Sequence, residues 1–598
     1  MTLPAQFAQA VKAVEKTATS NKRALLVIHL NGGSDCFNFV SPTTGTNRVN
    51  YETAREAVNR MPVDATGNTA LMPGWQMHPQ CFKPVLTTRT YAYNTPTTTL
   101  FTSINHLLNN GDQVYVDFKT VSTGTLSTDG TFTATVVSSS TFTIDNILAS
   151  GATGTADITI VKNTFMSLLN QGKAAVIMNV GPLVEPTSRE TVGGAYYGQP
   201  ASVKLPVQLY SHSDQQAEWQ SGVAQYPANK TGWIGRSMDL LNPVYNSTVT
   251  NGVSIIQYPP SLSFSGVGIA FRAHDQHAAG LGSTGLTSRL GRILSSASST
   301  GTTNSYGSGT QGQLLTNFNN VFYTDTTSSN VLIQEYLLAQ QRSDSTTKII
   351  SSVLSSSNTF NATTTTFSTK NPVTGGGEDI YSQLKSTARL VKGMFDTTPT
   401  RDLTQDRQIF FISHGGFDQH DGLVADQNAR LAPLMEGLKQ FYDSTVELGI
   451  QNNVTVMVYS EFGRTLLQNN DGTDHAWGGH AFVMGGAVQG VNGIGGRPVF
   501  GTPPTLGTRA DKWGSDFTND TRGLMIPSMP TETLFSTLLQ WMGIPDGWYD
   551  LNGDHTIKGA LNAVNPMELI LPNLPNFDTV KDGSGNPRLR KITGLLSP

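Results

Sequence analysis

The sequence predicts an α/β fold built on a doubly wound, mostly parallel sheet. Three observations carry that expectation. Short uninterrupted apolar runs recur along the chain, each leaves through a glycine-bearing or acidic turn, and amphipathic helical stripes flank the later runs.

The first run, residues 24–30 (ALLVIHL), ends at Asn31-Gly32-Gly33. The second, residues 174–180 (AAVIMNV), ends at Gly181-Pro182. The third, residues 409–413 (IFFIS), is followed by His414-Gly415-Gly416. The fourth, residues 454–459 (VTVMVY), is followed by Ser460-Glu461. Their length and their exits suit buried parallel strands. Ile380, Leu384, Ala388 and Val391 form a helical stripe ahead of the third run. Leu431, Leu434, Leu438, Phe441 and Thr445 form another between the third and fourth.

One stretch breaks this rhythm. Residues 91–162 are threonine-rich, alternate in polarity and carry turn signals such as Gly111-Asp112 and Asp129-Gly130, which predicts a small all-β insertion. It is similar to modules found in phage structural and other surface proteins. The expected organisation is therefore an N-terminal arm (1–21), a first core part (22–90), the β insertion (91–162) and a second core part (163–598). The second core part contains Ser/Thr-rich loops around 290–375, densest at 295–308 and 355–369.

A chain of 598 residues has room for two to four domains. Charged residues make up only 14% and no stretch of eighteen apolar residues occurs, so no transmembrane helix is expected. The net charge of −4 and the lack of a basic run leave nucleic-acid binding without electrostatic support. Abundant Ser, Thr, Asn and Gly suit an extracellular, periplasmic or virion-surface setting, although the N-terminus shows no signal-peptide pattern. Cys36 and Cys81 supply neither a metal-binding pair nor a disulfide framework, and spacing alone leaves open whether they bond to each other.

Four of the eleven histidines, His414, His420, His475 and His480, crowd into one segment with Asp418, Asp421, Glu461 and Asp474. Position is the stronger argument. Parallel sheets bind ligands beyond the C-terminal ends of their strands. Asp35 follows the first run, Asp418 and His420 follow the third, and Glu461 follows the fourth, so the topology predicts that they meet at one edge. Several carboxylates in one place need a cation or an arginine to offset them. Oxygen and imidazole donors without thiolate suit one or two divalent ions, Zn, Mn, Mg or Ca. Plainer readings stand beside this one. Asp35 can cap a helix, Asp418 can form a turn, and Glu461 can pair with Arg464. His29 reads as packed core and Cys36 as a small packing residue, while His274 and His277 have ligand-like spacing only.

The ordered motifs GGSDCFNFV, LYSHSDQQAEW, TGWIGRSMD, GGFDQH, SEFGRT and GTDHAWGGHAFVMGGAVQG resemble a bacterial family of unknown function, numbered fifteen-oh-one, within the alkaline phosphatase and sulfatase superfamily. The similarity spans roughly residues 22–90 and 163–551 and implies a sheet of alkaline-phosphatase type. It implies Asp35 and Glu461 as ligands of one metal, and Asp418, His420 and His475 as ligands of a second. It also implies Ser211 as nucleophile at a helix start, with His212 or Asp214 beside it. Departures are visible: Phe462 stands where His usually follows the acid, which leaves a ligand to be supplied by His212 or Asp474. Cys36, Gln419 and Ala476 replace the usual Gly, Thr and Gly, and no twin-arginine signal is present.

The expected activity is metal-assisted hydrolysis of a phosphate or sulfate ester. Ser211 would attack and Arg464, or Arg236, would hold the anion; the substrate would be a small anionic ester or a sulfated or phosphorylated polymer. The alternative is a structural protein of a homo-oligomeric, surface or virion assembly, with a degenerate hydrolase site.

Overall fold

The computed structural model describes the chain apart from residues 1–2, 20, 64–68, 82–84, 103–112, 125–128, 139, 147, 149, 161–164, 194–201, 226–230, 247, 251–252, 256–260, 267, 275–278, 281–349, 351–352, 355–366, 397–404, 582–584, 586, 588 and 598. The loops expected at 295–308 and most of 355–369, together with His277, lie outside the described residues.

The main sheet has nine strands. In chain order they are β1 (Arg23–Asn31), β2 (Ala174–Gly181), β3 (Ser261–Ser263), β4 (Ala279–Gly280), β5 (Arg407–Gly415), β6 (Val454–Ser460), β7 (Gly479–Gly485), β8 (Val499–Gly501) and β9 (Met529–Pro530). They lie in the order β4-β3-β5-β1-β6-β7-β2-β8, with β9 beside β2. Every pairing is parallel except the two that β7 makes, with β6 and with β2. The architecture is α/β with a mostly parallel sheet, as expected. The four apolar runs supply β1, β2, β5 and β6.

Those runs are apolar throughout because both faces of the sheet are covered. Ala24, Leu26, Ile28 and Leu30 of β1 pack into one layer with Phe410, Ile412, Val456 and Val458. Helices α4 (Asp379–Phe395) and α5 (Leu423–Glu447) close that layer through Leu384, Val391, Leu431, Leu434 and Leu438. The intervening Leu25, Val27, Ile409, Phe411 and Met457 face the opposite layer. There, α1 (Leu3–Thr17), α3 (Trp233–Tyr245) and α6 (Thr531–Met542) lie over them, with α1 packing Phe7, Ala10 and Val14. The N-terminal arm thus contributes the apolar side of its helix to a core layer. Each of these large aliphatic side chains contributes about 1.5–3 kcal/mol on burial.

The β insertion is a closed six-stranded barrel running from Val85–Thr95 to Thr153–Ile160. Its first strand begins ahead of the expected boundary at residue 91. Tyr91, Phe101, Phe118, Phe142, Ile144 and Ile158 give it a core separate from the two layers of the sheet. Cys36 and Cys81 are both buried and both free. Among the described residues no helix is long and apolar enough to cross a membrane.

Register brings the strand exits together. Asn31 pairs with Gly415, and Leu30 with Ser460, so β1, β5 and β6 end level with one another. Because β7 runs the other way, the residues just before it arrive at that same edge.

Candidate metal centre

At this edge β1 leaves through Gly32 (φ +123°). A Cβ on Gly32 would lie 2.3 Å from the backbone nitrogen of Asp418, so only glycine lets the loop after β5 approach this closely. The chain beyond β6 folds into a hairpin, Arg464–Asn469 against Gly472–His475, which sets Arg464 and His475 opposite each other. The first turn of helix α2 (His212–Ser221) meets the hairpin, with the rings of His212 and His475 4.3 Å apart. Ahead of it, Tyr210 takes the left-handed φ of +74°, and its carbonyl accepts a hydrogen bond from His475 Nδ1 at 2.8 Å.

Three imidazoles converge on the Asp418 carboxylate. His212 Nε2 is 3.4 Å from Oδ2, while His420 Nε2 and His475 Nε2 are 3.1 and 3.2 Å from Oδ1. Donor atoms of His212, Asp418 and His475 all lie within 4.8 Å of one another. His420 stands at the rim, its Nε2 3.0 Å from that of His475. The group opens to solvent, with side-chain exposures of 48% for Asp418, 46% for His420, 30% for His212 and 23% for His475.

Each ring is held from behind. His212 Nδ1 donates to Glu461 Oε1 at 2.8 Å, His475 Nδ1 donates to the Tyr210 carbonyl, and His420 Nδ1 lies 3.5 Å from Asp474 Oδ1. For His212 and His475 the acceptor on Nδ1 fixes the proton there and leaves Nε2 with a lone pair. His212 Nε2 is shielded from solvent and makes no hydrogen bond. The Phe462 ring packs 4.8 Å from the rings of both His212 and His475 and makes an apolar floor.

Charge follows the same pattern. Burial pushes the Asp418 carboxyl up, but the hydrogen bond and charge of Arg464 outweigh it and hold the group at about 2. The hydrogen bond to Glu461 raises His212, whereas burial lowers His475. Burial also opposes ionisation of Glu461, yet hydrogen bonds from His212 and His29 keep it well below the usual carboxylate range.

Several residues expected at the metal are placed elsewhere. Asp35 is fully buried and grips Arg55 with both oxygens, Nη1 to Oδ2 at 2.6 Å and Nη2 to Oδ1 at 2.8 Å. It also caps the short helix Cys36–Phe39 by accepting from the Phe37 amide, which is the plainer reading of this residue. Glu461 is fully buried too. Its oxygens accept from the Gly32 amide and from the side chains of His29, His212, Gln216 and Ser460, so it stands behind His212 rather than at the ion. Its partners are histidines, not Arg464. Asp474 likewise stands behind His420 and accepts from Asn469 Nδ2 at 2.6 Å.

Arg464 was expected to hold an anion. It is buried, and its donors serve the carbonyls of Gly32, Gly33, Phe417 and Thr473 together with Asp418 Oδ1. It ties the loops after β1, β5 and β6 together instead. Arg236 is spent on the carbonyls of Ser221, Thr231 and Ile570. His414 donates to or accepts from nothing at the centre, since its Nε2 meets the Arg430 carbonyl. His480 is buried in β7 with Nδ1 on the Asn179 amide, and His274 packs against Phe7. Ser211 caps α2 by position, and its hydroxyl donates to Asp214 Oδ2 at 2.6 Å.

One comparison covers part of this edge. Residues 397–508 match the family model described as "Protein of unknown function (DUF1501)". The DUF1501 match covers β5, β6, the hairpin and β7, and with them Asp418, His420, Glu461, Arg464, Asp474 and His475. No curated protein is similar enough to match this sequence.

Sequence reasoning singled out His212 only as a neighbour of Ser211 or a substitute ligand; its place here comes from α2 reaching over the sheet. Arg55 and Tyr210 were missed. Nothing in the local pattern around either residue signals its role.

Proposed function

We propose that the protein is a metal-dependent hydrolase of the alkaline phosphatase and sulfatase type, acting outside the cytoplasm on a phosphate or sulfate ester. The observation that carries this reading is the convergence of Nε2 atoms from His212, His420 and His475 on ionised Asp418. Two lone pairs 3.0 Å apart repel unless a cation or proton lies between them. Donors ~2.1 Å from a tetrahedral zinc lie about 3.4 Å apart, which resembles the spacings found here. Two imidazoles and one carboxylate leave further coordination positions for water or substrate, and His420 adds a fourth donor. A divalent ion bound there supplies Lewis-acid polarisation of a water or an ester oxygen.

The geometry favours one ion over two, because Arg55 already neutralises Asp35 and hydrogen bonds saturate Glu461. Ser211 is the nucleophile in this proposal. Its proton passes to Asp214, its oxygen bonds to phosphorus or sulfur, and the ester alcohol departs, taking a proton from water. The hydroxide left by that water then displaces the group from the serine, whose oxygen recovers its proton from Asp214. Arg464 takes no part in holding the substrate.

The test is metal analysis of the purified protein with a screen of aryl phosphates and aryl sulfates in Zn, Mn, Mg or Ca. Ser211→Ala should abolish turnover and leave metal content unchanged. Unchanged turnover in that variant removes Ser211 from the role. A second reading, a structural or surface component with a non-catalytic ion, is favoured by the separately cored barrel and by the engagement of Asp35 with Arg55. Bound metal without turnover on any ester would select it.

A further inference from the structure

We propose that the end of the sheet opposite the metal centre holds a second binding site, for an anionic, polyhydroxylated small molecule of the phosphorylated- or sulfated-sugar class. A cleft of about 460 Å³ lies there, lined by Asn21, Arg23, Lys173, Asn452, Asn453 and Gln489 among others. Arg23 opens β1, Lys173 precedes β2, and Asn452 and Asn453 precede β6. The cleft therefore sits at the strand starts, and one length of β1, ~26 Å at 3.3 Å per residue, separates it from the metal centre.

Its charge is one-sided. Among the described residues no acidic one lines it. Arg23 lies over the Trp541 ring, 5.3 Å from its centroid, and Nη1 donates to the Trp541 carbonyl. Neither Arg23 nor Lys173 forms an ion pair among the described residues. Lys173 Nζ donates to the Gly486 carbonyl at 2.9 Å, which leaves two of its protons for a ligand. Behind Arg23 stands Arg407, whose Nη2 is buried and makes no hydrogen bond. Burial pushes Arg407 down to about 10, and the charge of Arg23 adds to that effect against the pull of Tyr245. Asp406 lies 3.9 Å from Lys22. Asp406 is the acidic group beside these cations, and its charge also steadies Arg407, so Arg23 and Lys173 are left to favour an incoming anion.

The rest of the lining narrows the ligand. Four side-chain amides line it; Asn453 and Gln489 each spend one N–H on the Lys22 and Ala487 carbonyls, and the remaining donors and acceptors suit hydroxyl groups. The volume falls within the range of small-molecule sites, and it exceeds what inorganic phosphate fills. An anionic group on Arg23 and Lys173 with hydroxyls on the amides fits both features.

The experiment is calorimetric titration of the full-length protein after chelator treatment, so that the metal centre does not contribute. The probes are glucose 6-phosphate, glucose 6-sulfate, glucose and inorganic phosphate. At least one charged sugar should bind tenfold or more tightly than glucose and than inorganic phosphate, and the preferred one reveals which anion the cleft takes. Lys173→Met and, separately, Asn452→Leu should each weaken that binding about tenfold, with melting curves of both variants confirming the fold. Absence of binding by both charged sugars overturns the proposal, as does inorganic phosphate binding as tightly as they do, or retention of affinity in both folded variants.

Discussion

The Nε2 atoms of His420 and His475 face each other at 3.0 Å, and His475 has its Nδ1 proton committed to the Tyr210 carbonyl. Without an ion, this contact requires His420 to carry its proton on Nε2 and donate it to His475; a cation bound there takes both lone pairs instead. Adding Zn²⁺ to chelator-treated protein should therefore raise its melting temperature, since ion at a hundredfold its Kd stabilises by about 2.7 kcal/mol. His475→Ala and His212→Ala should remove most of that shift. A zinc response of equal size in both variants would place the ion elsewhere.

Asp35→Asn separates the ligand expected from sequence from the buried partner found in the structure. Breaking a buried ion pair by removing one charge costs about 3–5 kcal/mol. The variant should unfold at lower denaturant concentration yet bind the same number of metal ions per chain. Loss of metal from folded Asp35→Asn protein would return Asp35 to the ligand set.

Glu461→Gln tests the layer behind the metal. The carboxylate receives hydrogen bonds from His29, His212 and the Gly32 amide within 3.1 Å. Glutamine offers one acceptor oxygen where two are used, and its amide points donors at donors. We expect a stability loss of about 3–5 kcal/mol in chemical denaturation. Outer partners of metal-bound histidines typically contribute 10–100-fold in affinity, so competition with a chelator dye should show a drop of that order. Arg464→Lys should act similarly through Asp418, because a single ammonium cannot span the carbonyls of Gly33 and Thr473 together.

How far the sequence foretold this site follows from which physical rule governs each part. The sheet edge was legible, because apolar runs ending in glycine-bearing or acidic turns mark parallel strands and register then aligns their exits. The positions of Asp418 and His420 at this edge follow from that rule, whereas His475, in the hairpin ahead of the antiparallel strand, was suggested only by the family resemblance. The orientation of Asp35 and Glu461 does not. Asp35 turns to Arg55, twenty residues away on a helix that is mostly polar in pattern. Apart from the neighbouring Ser460, Glu461 is filled by groups from β1, the loop after it and α2, all distant in sequence. His29 reads as a core residue and is one, stacked on Tyr459 with centroids 5.0 Å apart, yet it also donates to Glu461. Polar partnership across a fold depends on packing that no local pattern encodes.

Alkaline pH should destabilise the protein through Glu218. This residue lies on α2 and is buried, and the one donor that approaches its carboxyl, the Val207 amide, does not offset the loss of water. Burial raises its carboxyl to about 9, and the charges of Asp214 and Glu532 act in the same direction. Burial likewise raises Glu532 to about 7. A carboxyl whose folded value lies above its unfolded value holds its proton more tightly in the native state. Its contribution is complete below the unfolded value, near 4.5, and declines as pH rises through the folded value. Denaturant midpoints should consequently fall from pH 5 towards pH 9, with a limiting slope of about 1.4 kcal/mol per pH unit for each group still titrating. Glu218→Gln keeps the shape and removes the titration, so its midpoint should vary less across this range and exceed that of the native chain at pH 9. Parallel pH profiles for the two proteins would show that Glu218 is already ionised and solvated in the folded state. Because α2 also carries His212, the same variant should extend metal retention to higher pH if unfolding of this helix limits it.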